Sequence, residues 1–435
     1  MNMVSSEIEA KGVSKDNIIY IHLDQRPYKS IKTAEKLEAI IDAKSNGVKG
    51  IKYLFIDEVQ NVKNFEESVN AYREEGDYSI FLTGSNSYLL SGELITKLTG
   101  RYIEFEMKTL TFDEYIGIKN FWGKDINENL ENELVQYITE GGFPQAVKYN
   151  SYEDKTKYVD SVVEEIFEKD IKKNNKIRKK NLFNKVQTYI INNFGSTTSV
   201  NSICEYLKKQ GDSVSKVTIY NYLEILENAK IISKCERFDM KSKRSLNGYE
   251  KYYLSDLSFY FSHSTDARIN YGPVLENIVY NYVLSKGYKA SIGKIGNLEV
   301  DYILRKRSDE YCYVQVARTI DNDNYDENGN NITEEREYRP FYNIRDMYPR
   351  YLFVLDMILQ KNVNGVKNVN IVDFITNMEV VKSKREAREF IGNGAISING
   401  NKVENTELVV TDDLFIDNTY IVVKKGKKNY FIGKK

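Results

Sequence analysis

The chain has 435 residues, 41% of them hydrophobic and 29% charged, with a formal net charge of −1. Several domains are expected at that length, and the balanced charge excludes whole-molecule attraction to nucleic acid, so any such binding must come from local basic faces. Three cysteines without a C-x-x-C pair exclude a zinc ribbon or disulfide scaffold, and no apolar run approaches the roughly 18 residues of a membrane span, so a cytoplasmic protein with no membrane partner is expected.

Four regions separate along the chain, at 1–150, 151–238, 239–377 and 378–435. In the first, Asn17–Asp24 is a β-branched strand candidate, and Ile31–Ser45 has apolar positions at helix spacing. The short apolar runs Lys52–Asp57 and Tyr78–Thr83 flank a helical Phe65–Glu75. Strands alternating with helices predict βαβ units and a parallel sheet. The second region is helix-rich, with a basic run from Lys169 to Lys180 and then a helix-turn-helix-like pattern. The third mixes strands with one long helix, Pro273–Lys286, and its Asp321–Glu335 stretch reads as an exposed loop. The fourth is short, turn-rich and basic at both ends. The fold class expected is therefore α/β multidomain.

The first region carries an ordered set of polar residues at strand ends. Asp57 and Glu58 end one strand, where an Asp holds a Mg²⁺ shell and a Glu orients water; Asn86 follows the next strand, and Arg101 could reach a transferring phosphate. An apolar strand ending in Asp-Glu is more often only a strand end, so the order of the set matters more than any member. Together with LFIDEVQNV (Leu54–Val62), TGSNSYLLSGEL (Thr83–Leu94), LTGRY (Leu98–Tyr102), LTFDEY (Leu110–Tyr115) and GGFPQAV (Gly141–Val147), it resembles bacterial and archaeal AAA-like ATPases. Those proteins carry a winged helix and a nuclease-like C-terminal domain. The resemblance extends to about Thr376 and implies a P-loop-type sheet. No G-x-x-x-x-G-K-[ST] occurs in the 435 residues. Such a loop supplies most of the phosphate-binding energy. The reading is thus an incomplete sheet lacking its P-loop strand, little or no ATP hydrolysis, and no cofactor; ATP with Mg²⁺ is the alternative.

In the second region Ser215 caps a helix whose start exposes Lys216, Thr218, Tyr220 and Asn221, and Ile231–Phe238 would form a wing. DNA in a groove and an intramolecular or protein contact are both open readings. In the third, Glu276, Asp301 and Gln315 resemble the Glu, Asp, Glu-x-Lys arrangement of metal-dependent restriction-type nucleases. Here Gln315 replaces the second Glu and Ala317 the Lys, so a degenerate, binding-only site without cleavage is expected.

The last region reads as a helix carrying Lys382, Lys384, Arg385 and Arg388, then a hairpin containing Lys402, then a basic cluster of Lys424, Lys425 and Lys427. It resembles the small alpha-L RNA-binding motif, most closely the C-terminal domain of bacterial tyrosyl-tRNA synthetase. That resemblance implies structured RNA, tRNA- or rRNA-like, as partner; it does not imply aminoacylation, since no catalytic half is present. The change near Asn377 suggests a fusion.

Overall fold

A computed structural model describes residues 1–84, 100–127, 129–166, 177, 179–242, 244–262, 268–306, 311–320, 332–355, 362–363, 366–370, 396–398, 401–402, 420–425 and 429–434. It bears out the α/β multidomain class with a parallel sheet.

The front is a three-stranded parallel sheet. After helix α1 (Asn2–Ala10) come strand β1 (Ile18–His22), helix α2 (Ala34–Ser45), strand β2 (Lys52–Asp57), helix α3 (Phe65–Glu75) and strand β3 (Tyr78–Leu82), in spatial order β1-β2-β3. Ile19, Ile21, Leu54 and Ile56 pack against Leu37, Ile41, Phe65 and Val69 of the two helices, as expected where βαβ crossovers cover one face. Alternation sends Tyr20, Phe55 and Phe81 to the opposite face. They lie in register and stack, with centroids 5.4 and 4.6 Å apart. Phe55 is fully buried within this ladder.

The chain then crosses 102–109 without regular structure and enters helices α4 (Phe112–Phe121), α5 (Leu130–Glu140), α6 (Pro144–Val147) and α7 (Tyr152–Glu165). These pack into a second, larger core shared with the C-terminal half. The double glycine of GGFPQAV has a steric cause. Gly141 has φ +79, and a Cβ there would lie 2.0 Å from Asp256 Oδ1; one on Gly142 would lie 2.3 Å from the Leu110 carbonyl. In return the Gly142 N–H donates to Asp256 at 2.8 Å, the Leu110 N–H to Gly142 at 2.8 Å, and Thr109 to the Ser255 carbonyl at 3.0 Å. Three distant segments are thereby clamped together.

Helices α8 (Lys180–Asn192), α9 (Val200–Lys209) and α10 (Lys216–Asn228) form a three-helix unit with strand β4 (Thr197–Thr198) and the hairpin β5 (Ile232–Asp239) and β6 (Arg244–Leu254). The outer part of β5 pairs with β7 (Lys289–Ile295), Arg237 opposite Ile292, so the hairpin continues into a nine-stranded sheet. Its remaining strands are β8 (Leu298–Arg305), β9 (Tyr311–Ala317), β10 (Arg350–Val354), β11 (Asn362–Val363) and β12 (Val366–Asn370). After helix α11 (Ser258–Phe261), α12 (Tyr271–Ser285) packs against Tyr302, Leu304, Val314 and Val316; α13 (Ile332–Tyr342) packs Tyr338 and Phe341 against Ile303, Tyr313 and Leu352. The predicted Asp321–Glu335 loop is shortened from its far end, because Ile332 already begins α13: Tyr338 and Phe341 bury an apolar stripe there.

At the C-terminus β13 (Ile396–Ile398), β14 (Asn401–Lys402), β15 (Tyr420–Lys425) and β16 (Asn429–Lys434) form an antiparallel sheet in the order β14-β13-β15-β16.

Candidate functional site

The front cluster sits at the carboxyl end of its sheet, the end at which open α/β sheets bind ligands. The carboxylate of Asp57 is half-buried. One oxygen meets His22 Nδ1 at 3.1 Å, and the other accepts from Thr83 Oγ1. Tyr20 stacks on His22 at 4.1 Å and fixes the ring. Glu58 adopts a left-handed backbone, φ 59; its N–H donates to Thr83 Oγ1 at 3.2 Å and its carboxylate accepts from Gln60. Arg101 is exposed and reaches Asn70 of α3 at 3.4 Å. Asn86 lies outside the described residues. Sequence reasoning found Asp57 and Glu58 and quoted Thr83 only as the start of TGSNSYLLSGEL; it did not single out His22, whose place opposite Asp57 follows from strand register.

The cleft at the larger sheet does bring Glu276, Asp301 and Gln315 together, in a cavity of about 510 Å³. Glu276 comes from α12, Asp301 from β8 and Gln315 from β9. The lysine whose expected position holds Ala317 has a counterpart on another strand: Lys251 of β6 is 2.9 Å from Glu276, 3.3 Å from Glu299 and 3.9 Å from Asp301. Tyr253 also donates to Glu276, at 2.8 Å. Burial alone would lower the Lys251 pKa, but Glu276, Asp301 and Glu299 overcome it and hold the ammonium above its usual value. Burial, reinforced by the charge of Glu276, holds Asp301 well above the usual carboxylate range, while Lys251 and the Val316 N–H, at 2.8 Å, work against the shift.

Gln315 has a physical reason to be neutral. Its Oε1 accepts from the Asp301 N–H at 3.2 Å, and its Nε2 donates to Glu337 of α13 at 3.1 Å; a glutamate there would face Glu337 with no proton to offer. No group of three or more His, Cys, Asp or Glu side chains suited to a metal ion occurs among the described residues. Lys251 left a signal in the sequence, a charge directly before the apolar run Tyr252–Leu254, but its partners are distant in the chain.

On α10, Lys216, Tyr220 and Asn221 are exposed, while Thr218 Oγ1 pairs with the capping Ser215 at 2.9 Å. Behind them burial, reinforced by Glu224, Glu236 and Glu250 and opposed by Lys234, raises the pKa of Glu227. The neighbourhood is acidic.

In the C-terminal sheet, Lys402, Ser397, Lys424 and Tyr430 occupy one row across four strands, and Lys425 the next position on β15. Lys402 is exposed. Lys382, Lys384, Arg385, Arg388 and Lys427 lie outside the described residues.

Comparison with known proteins matches three segments. Residues 2–116 fit the family model of an AAA domain, 131–266 a domain of unknown function, and 358–433 the tyrosine–tRNA ligase C-terminal domain. An uncharacterised protein of Haemophilus influenzae is 29% identical over 369 residues, 85% of this chain and 88% of that one. One from Methanocaldococcus jannaschii is 32% identical over 311 residues, 69% of each. Tyrosine–tRNA ligase 1 of Enterococcus faecalis is 48% identical over 91 residues, 19% of this chain and 22% of the ligase. A solved Walker-type ATPase of Pyrococcus abyssi superposes with TM-score 0.38 and 14% identity, covering 56% of this chain and 83% of that one.

Proposed function

The chain belongs to the family of the Methanocaldococcus jannaschii protein, with an AAA-like body fused to a tyrosyl-tRNA-synthetase-like C-terminal domain, and on that footing we propose that it binds structured RNA through the C-terminal domain while the body serves as a non-hydrolysing scaffold. The observation that carries this reading is the C-terminal match, supported by the lysines at 402 and 424 sharing one row of the sheet. Structured RNA is recognised through shape and phosphate, which needs such local positive surface even on a chain of net charge −1. We leave DNA out of the proposal. The α8–α10 unit resembles a winged helix, but its hairpin is already paired to β7 and its exposed helix borders the acidic Glu227 neighbourhood, which favours an intramolecular or protein contact.

The test is a salt series of binding to tRNA-like RNA, with a Lys384/Arg385/Arg388→Ala triple variant alongside. Each lost phosphate contact lowers the log–log salt slope by about 0.7–0.9, so a decrease of about 2–3 is expected with uniformly weaker binding. Absence of binding by the intact chain at low salt would defeat the proposal.

A second reading, a Mg²⁺-dependent nucleotide site acting on DNA or a protein partner, is favoured by one feature: Asp57, Glu58 and Thr83 converge at the carboxyl end of a parallel sheet. Against it, both Asp57 oxygens already have partners and the 435 residues hold no P-loop lysine. Titration with ATP and Mg²⁺ separates the two; micromolar binding lost in Asp57→Asn would favour the second.

A further inference from the structure

The cleft on the larger sheet is graded in polarity. Its floor presents acceptors. Lys251 and Tyr253 both donate to Oε2 of Glu276, which leaves Oε1 without a protein donor among the described residues. Asp301 accepts the Val316 N–H on Oδ2, while its Oδ1 has only Lys251 at 3.9 Å, beyond hydrogen-bond distance. The Asp301 side chain is 10% exposed, so this acceptor is nine-tenths buried and lines the cavity. The rim presents cations. Arg318 lies 4.4 Å from the centroid of Tyr271, and Arg336 is 73% exposed while paired to Glu337. Both arginines and Tyr271 line the same cavity.

In its ionised form Asp301 joins Glu276 in an acceptor floor, which beneath a cationic, aromatic rim fits a ligand with N–H donors at one end and an anion at the other. The volume of about 510 Å³ lies within the usual range of about 300–1,000 Å³ for small-ligand sites and accommodates one nucleotide. We propose that this cleft binds a single nucleotide whose base carries an exocyclic amine, with the base edge on Asp301 and Glu276 and the phosphate at Arg318 and Arg336. Uracil lacks the amine: its single N3–H can meet one acceptor and leaves the other unpaired, which is how such sites discriminate. Arginine adds planar, charge-assisted bonds to phosphate oxygens, and the Arg318–Tyr271 pair offers a face for the sugar or base. The site is separate from the C-terminal domain and stands or falls independently of RNA binding there.

The test is calorimetric titration of the full chain with AMP, CMP, GMP and UMP, and with short single strands ending in the preferred nucleotide. The three amine-bearing nucleotides should bind at least tenfold tighter than UMP. Arg318→Ala/Arg336→Ala, at exposed positions, should weaken all four about tenfold. Asp301→Asn, which keeps shape and an acceptor for Val316, should shrink the discrimination against UMP. Tighter binding of the strands than of the mononucleotide assigns the ligand to a strand end; equal binding assigns it to free nucleotide. The proposal is overturned if no nucleotide binds at millimolar concentration, if UMP binds equally well, or if neither variant changes the affinities.

Discussion

Asp57 of the front sheet and Asp301 of the larger sheet both occupy strand positions where the residue pattern suggests metal-assisted chemistry, and their surroundings differ. Asp57 is half-buried; its partners are a histidine and a threonine hydroxyl, with no Lys or Arg within 4 Å among the described residues. Asp301 is buried beside Glu276 and near Glu299; Lys251 bridges the three carboxylates, and Arg237 also reaches Glu299, at 3.6 Å. A carboxylate that keeps contact with water needs little compensation, whereas buried ones demand a cation in close geometry. The front site therefore tolerates losing partners, and the rear one does not.

The largest effect should come from removing that cation. Lys251→Met preserves most of the side-chain volume but leaves Glu276 and Asp301 without their cation, while Glu299 keeps Arg237, so a loss of about 3–5 kcal/mol is expected. Urea unfolding followed by far-UV circular dichroism measures it. A loss below about 1 kcal/mol would mean that water reaches the cluster and that the contrast with Asp57 is illusory. A second substitution tests whether the two sheets are energetically separate. Phe55→Ala removes a fully buried ring between Tyr20 and Phe81, expected to cost about 3 kcal/mol. Because Phe55 is not part of the larger core among the described residues, the front should lose stability in its own transition while the remainder melts unchanged. One shared, lowered transition would show that the sheets unfold as a unit.

How much of this was legible in the sequence follows from where the determinants lie. The strands at Asn17–Asp24, Lys52–Asp57 and Tyr78–Thr83 were readable because a β-branched or short apolar run is a local signal, and each appears within two residues of its predicted limits. The three carboxyl-site positions Glu276, Asp301 and Gln315 were readable because their spacing resembles a known arrangement, and the cleft contains all three. Lys251 and Glu337 were not. They lie on β6 and α13, outside that arrangement, and enter the site only through packing at long sequence separation. Ile231–Phe238 was read as a wing from its local pattern; it forms β5, whose pairing with β7 depends on an edge contact that no local pattern encodes. The doubled glycine was noticed as a motif, yet its cause, a close approach of Asp256 and Leu110, is a tertiary fact.

The smallest expected effect sharpens the comparison through pH. Burial raises the pKa of Asp301 above the value of about 3.9 that it has in an unfolded chain. Between that value and the folded one, the folded protein holds more protons than the unfolded, so stability falls as pH rises through this window. The penalty is complete above the folded pKa and absent well below the unfolded one. Asp256, also raised by burial, contributes with the same sign, so Asp301→Asn should flatten only part of the slope. Unfolding free energies from pH 4 to pH 8 for the two proteins would read this as a difference of about 1 kcal/mol, within the reach of one titrating group. If the Asp301→Asn curve ran parallel to the parent, the carboxylate would be ionised in both states, and the Lys251 ammonium would outweigh burial after all.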